Sequence, residues 1–148
     1  MNIEKYIKTS AEIPLNKKTI IHLMLVNNMI KEIIGEGLKS FDVSMQQYNV
    51  LRILRGQKGN PANLSTINER MISKMSNTSR LVDKLIAKKL VCRAICESNR
   101  RKVEIVITEE GLASLEKMDN VINKAEHTIT SKLNTKELET LNILLNKF

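Results

Sequence analysis

The sequence predicts a mainly helical α+β fold in which one small β-hairpin interrupts a series of helices. Two periodicities and one concentration of charge predict it. Apolar residues recur at helical spacing over 16–37, 44–57, 65–89 and 109–148, whereas 91–96 and 103–108 are short β-rich runs, the second alternating as a strand does. The formal net charge is +8, and residues 70–102 hold ten cations against only Asp83 and Glu97. The rest of the chain carries 14 basic and 14 acidic residues, so the whole excess sits in one segment. A one-signed concentration of this kind raises the local potential and attracts a polyanion. Charge alone fits DNA, RNA, an anionic membrane or an acidic protein.

The 148 residues, 42% hydrophobic and 27% charged, suit one globular domain spanning 1–148. Aromatic residues make up 3% and Trp is absent, which argues against base stacking on single strands. No stretch approaches the ~20 apolar residues of a membrane span, and the N-terminal MNIEKYIKTSAEIP lacks a signal-peptide core. A cytoplasmic protein is expected. Cys92 and Cys96 fall four apart on one strand, ~13 Å at strand rise, too far for a mutual disulfide. They read as small half-buried strand residues. With His22 and His127 they form no zinc spacing and no nucleophile–base motif, so no metal, cofactor or enzymatic activity is expected. A redox-sensing role for Cys92 and Cys96 is the alternative.

In chain order, residues 16–37 form a helix whose apolar arc, from Ile20 to Ile34, is wider than one packing face requires. Gly35 and Gly37 weaken its end. Ser44 and Gln47 make a capping box for a helix to about Gln57 that buries Tyr48, Leu51 and Leu54. Gly59-Asn60-Pro61 stops it, and Leu64 marks a very short strand. Ser65 caps a short helix through about Ser73, and Ser76 caps a second over 76–89. On the second, Thr78, Leu81, Val82, Leu85 and Ile86 form one buried stripe, and Ser76, Ser79, Arg80 and Asp83 face outward, flanked by Asn77 and Lys84. Two short helices joined by a tight turn, the second polar and basic outside, make a helix-turn-helix. The strands 91–96 and 103–108 then enclose the turn 97–102, which holds Arg100, Arg101 and Lys102, so the hairpin is a basic wing. Acidic Glu109 and Glu110 open a long helix with the seam Leu115, Met118, Ile122, Ala125, Ile129. Asn134 and Glu137 cap a last helix with Leu138, Leu141, Leu145 and Phe148 in step.

The order of elements resembles the MarR family of bacterial winged-helix regulators. Asn99 to Gly111 is similar to that family's wing signature, D-R-R-x-V-x-(aliphatic)-x-(aliphatic)-T-x-x-G, with Asn99 in place of the usual Asp. Ser76 to Leu85 is similar to its recognition helix. The resemblance implies a winged lobe at 44–108 and dimerisation helices at 15–40 and 109–148. It implies a homodimeric transcriptional regulator, by family precedent a repressor, that reads a pseudo-palindromic double-stranded operator. It also implies a small aromatic or phenolic effector acting between the dimer helices and the DNA-binding lobe. The expected DNA-binding residues are Ser76, Asn77, Ser79, Arg80 and Lys84 in the major groove and Arg100, Arg101 and Lys102 on the wing, with Arg101 entering the minor groove. Arg80 suits either guanine or phosphate; Lys84 and Lys88 suit phosphates, and Lys89 and Arg93 are also expected to track them. The rival reading is a winged helix used for contact with an acidic protein.

Overall fold

The computed structural model describes residues 2–74, 77–95 and 103–148. Its elements are α1 (Ile3–Tyr6), α2 (Leu15–Lys39), α3 (Met45–Arg55), α4 (Leu64–Arg70), α5 (Thr78–Ala87), β1 (Val91–Ile95), β2 (Val103–Ile107), α6 (Glu109–Thr130) and α7 (Thr135–Leu145). The fold is the mainly helical, winged one that the sequence predicts, but several boundaries differ.

The α2 helix runs through Gly35 and Gly37 to Lys39 rather than ending there. Gly37 has a packing reason: a Cβ at this position would lie 3.0 Å from Val121 Cγ1, so α2 and α6 approach closely here. The short α1 was not anticipated, because four residues carry no periodicity. Asn2 caps it, Ile3 is fully buried, and Lys18 Nζ donates to Glu4 Oε1 at 2.8 Å, pinning α1 to α2.

The capping box at α3 is present in both directions: Ser44 N–H donates to Gln47 Oε1 at 2.9 Å, and Gln47 N–H donates to Ser44 Oγ at 3.2 Å. The expected strand at Leu64 is instead a bridge two residues earlier, where Ala62 and Ile105 exchange N–H···O bonds of 2.9 and 2.8 Å. Leu64 opens α4, because Asn63 rather than Ser65 accepts from Thr66 N–H at 2.8 Å. The α4 helix stops at Arg70, earlier than Ser73, where Met71 turns extended. Likewise Asn77, not Ser76, caps α5, accepting from Arg80 N–H at 3.2 Å; Ser76 lies outside the described residues. An N-cap must hold extended backbone while its short side chain folds back, and Asn fills that role as well as Ser.

The strands pair antiparallel, Val91 with Ile107 through Ile95 with Val103. One core joins α2, α3, α4, α5, the sheet and α6, with Leu51, Ile67, Val82, Leu85, Ile105, Leu115 and Met118 fully buried. The α6 seam Leu115, Met118, Ile122 and Ala125 is therefore internal packing. The α7 helix buries none of its residues.

Candidate nucleic-acid interface

The helix pair α4–α5 is held at its turn. Met71 and Ile67 point inward, and Thr78 Oγ1 lies 3.0 Å from Asn68 Oδ1, tying the first turn of α5 to α4. Thr78, Val82 and Leu85 are buried and Leu81 and Ile86 half-buried, so the stripe read from the sequence is the packed face. Its opposite side presents Ser79, Arg80, Asp83 and Lys84 to solvent. Asn77 is exposed too, but its carbonyl oxygen is engaged as the cap.

Two cations expected on phosphates have protein partners. Arg93 on β1 forms an ion pair with Asp83, neutralising the acid on the outward face of α5 and joining that helix to the base of the wing. Lys88 Nζ is bound by both the carbonyl and the carboxylate of Asp42, in the link between α2 and α3. That contact holds the Asp42 carboxyl below its usual range, first through the hydrogen bond and then through the Lys88 charge. Arg80 and Lys84 pair with no acid among the described residues, so they are the cations of α5 available to a polyanion. Arg100, Arg101 and Lys102, with Cys96 and Asn99, lie outside the described residues.

The wing is set against α5 by a corner the sequence only hinted at. Lys88 closes α5 and Lys89 follows with φ +61°, the left-handed conformation that ends many helices. Lys89 N–H then donates to the Ile86 carbonyl and Leu90 N–H to that of Leu85, at 2.8 and 3.0 Å. Thr108 sits across this exit. Its hydroxyl accepts from Gly111 N–H at 2.9 Å, capping α6, and donates to the Lys89 carbonyl at 2.7 Å. A Cβ on Gly111 would fall 2.0 Å from the Leu90 carbonyl oxygen, so only glycine allows this approach. The T-x-x-G spacing noted in the wing signature was the one available signal of the corner.

A second link missed in the sequence joins α3 to α6. Tyr48 Oη donates to Asp119 Oδ1 at 2.7 Å, Arg55 pairs with the other carboxylate oxygen, and the Arg52 guanidinium lies 5.8 Å from the Tyr48 ring centroid. Burial and the Asp119 hydrogen bond push Tyr48 up to about 12. For Asp119, burial pulls upward, but the hydrogen bonds from Arg55 and Tyr48 outweigh it and the carboxyl sits below its usual range. Cys92, expected to be half-buried, is an exposed free thiol, because its side of the hairpin faces away from the core.

Residues 43–103 match the MarR family model. The chain is 26% identical over 122 residues to the HTH-type transcriptional regulator TcaR of Staphylococcus aureus, covering 81% of this chain and 79% of TcaR. A MarR variant from E. coli, solved in complex with operator DNA, superposes with a TM-score of 0.76 at 22% identity, covering 99% of this chain and 98% of that one. BpsR of Bordetella bronchiseptica, whose structure concerns regulation of its DNA binding by 6-hydroxynicotinic acid, superposes with a TM-score of 0.79 at 20% identity over 93% of this chain and 96% of BpsR. At these identities the two structural likenesses are likenesses of fold.

Proposed function

Because residues 43–103 form a MarR-family domain in a chain with the MarR-like winged-helix fold, we propose that this protein is a sequence-specific duplex-DNA-binding transcriptional regulator. The observation that carries it is the outward side of α5: Ser79, Arg80 and Lys84 are exposed, and its acid, Asp83, is already neutralised by Arg93. That side would enter the major groove, where each base pair shows a distinct donor and acceptor pattern. Asn77 keeps its amide group for a base or phosphate while its carbonyl caps the helix. Arg100, Arg101 and Lys102 would hold the wing to the minor groove, with Arg101 the inserted side chain.

The fold divides naturally at the expected boundaries, with the winged lobe at 44–108 and helices 15–40 and 109–148 forming a homodimer. Two lobes so joined read a pseudo-palindrome with half-sites ~34–36 Å apart. The mode of control is repression, relieved by a small aromatic ligand that alters the spacing of the two α5 helices; BpsR is the precedent for such an effector. The protein works in the cytoplasm and has no catalytic activity; among the described residues no helix is long and apolar enough to cross a membrane.

The decisive experiment selects duplexes from a random pool with the purified protein, then compares the selected sequence with scrambled DNA at ~150 mM salt, where non-specific electrostatic binding is weak. A preference of a thousandfold order is expected for a specific regulator. Equal affinity for both would overturn the reading in favour of an acidic-protein partner. On the selected site, Arg101→Ala should lower the slope of log affinity against log salt by about one.

A further inference from the structure

The turn between α4 and α5 displays an isoleucine. Met71 leaves α4 in extended backbone, φ −67° and ψ 135°, and its side chain is buried. Successive side chains on extended backbone point to opposite sides, so the next residue is turned outward. Ile72 is 87% exposed, the most exposed large hydrophobic side chain among the described residues. The turn is braced by Asn49 Nδ2, which lies 3.6 Å from Met71 Sδ.

A single exposed aliphatic group is ordinary on a protein surface. Ile72 is not single: it shares a groove of about 450 Å³ with Ile53 and Gly56, flanked by Asn49, Arg52 and Arg55. No carboxylate lines the groove among the described residues. Arg55 is already paired with Asp119, whereas the exposed Arg52 has no carboxylate partner among the described residues. The groove thus combines an aliphatic anchor point with uncompensated positive charge. A phosphate backbone, polar along its length, has no use for the aliphatic part. An acidic amphipathic segment uses both, seating an apolar anchor against Ile53 and Ile72 and a carboxylate on Arg52.

We infer that this groove between α3 and the helix-turn-helix turn is a docking site for an acidic, leucine-bearing segment of a protein partner. The site is separate from the outward side of α5, so the regulator can hold DNA and partner together. Recruitment of another protein to the bound operator is the activity this adds.

The test is methyl NMR of the full-length protein titrated with a synthetic helical peptide of about 15 residues that carries Leu at i and i+4 among Glu and Asp. The isoleucine methyls of residues 72 and 53 should shift together and saturate, and Ile72→Ser or Arg52→Glu should each weaken binding about tenfold or more. Both substitutions are at exposed positions, so the remaining spectrum reports an intact fold. The inference fails if the peptide produces no saturating shift up to millimolar concentration. Equal binding by a peptide with every carboxylate amidated would also overturn it, since the charge argument would then be wrong. So would shifts of the same methyls caused by duplex DNA alone, or by raising protein concentration alone, which would assign the groove to DNA or to a second copy. None of these readouts depends on whether the protein prefers one duplex sequence.

Discussion

At the scale of single residues, the basic segment separates into side chains with different duties. Lys88 and Arg93 hold protein carboxylates, while Arg80 and Lys84 face solvent without an acid partner. Their substitution should therefore give distinguishable results. If Arg80 reads a guanine, Arg80→Ala costs about 1–3 kcal/mol at the selected site and relaxes preference at one base position. Lys84→Ala should weaken selected and scrambled duplexes alike and lower the salt slope by about one. Binding isotherms for both variants over a salt series check this, and an Arg80→Ala profile identical to that of Lys84→Ala would make Arg80 a phosphate ligand. Tyr48 supplies a prediction in pH. Its folded value, about 12, lies above the ordinary phenol value of 10.0, so the stability it contributes is complete below 10 and is lost as pH rises towards 12. Difference absorbance should show this phenolate forming only near 12, and Asp119→Asn should bring it down by removing the charged acceptor. Asp119 runs the opposite way: its depressed value contributes stability above the ordinary carboxyl range that fades as pH falls through the folded value.

At the scale of elements, the corner where α5 ends, β2 ends and α6 begins sets the angle between helix and wing. Thr108 is both cap and clasp, and Gly111 is the only residue that lets α6 lie against the Leu90 carbonyl. Thr108→Val should cost about 1–3 kcal/mol, combining a lost cap with an unsatisfied Lys89 carbonyl. Gly111→Ala should cost more, because the obstacle is backbone rather than a side chain that can swing away. Urea melts order the two, and an Ala variant as stable as the parent would mean that α6 can shift at no cost. The same corner shows what the sequence could and could not disclose. Periodicity was sufficient for α2, α3, α5 and α6, whose buried stripes are long, and the Ser44–Gln47 and Asn134–Glu137 boxes were recognisable because both partners are local. Helix starts failed where two capping residues stood close together: Asn63 outcompeted Ser65, and Asn77 capped where Ser76 was expected. Contacts between distant residues were beyond any local pattern. Nothing near Lys88 announces Asp42, forty-six residues earlier, and Asp83 with Arg93 looked like two more charges on a basic stretch.

At the scale of the whole molecule, the protomer leaves apolar surface that its own core does not use. On α2, Leu15 is 81% exposed and Ile20 and Met24 are largely so, with Leu38 the one buried residue of that helix. On α7, Ile143 and Leu144 are exposed, and Phe148 just beyond it is 86% exposed. Contiguous apolar patches on this scale mark protein contacts, and both helices belong to the part of the chain outside the winged lobe. A two-fold dimer covering them would place two α5 helices on one duplex and turn the second half-site into an intramolecular event. Linked binding of that kind raises avidity by about 10²–10⁴ over a single lobe. Ile143→Lys combined with Leu144→Glu introduces charge where no protomer core is disturbed, so the fold should survive and only the association should fail. Light scattering at micromolar concentration should give twice the 16.9 kDa chain mass for the parent and the chain mass for the variant. Affinity for the full pseudo-palindrome should then fall about a hundredfold or more, while affinity for an isolated half-site stays unchanged. A variant that remains dimeric would move the contact off α7. A monomeric variant with undiminished affinity for the full site would instead show that one lobe suffices, and the paired geometry would lose its role in recognition.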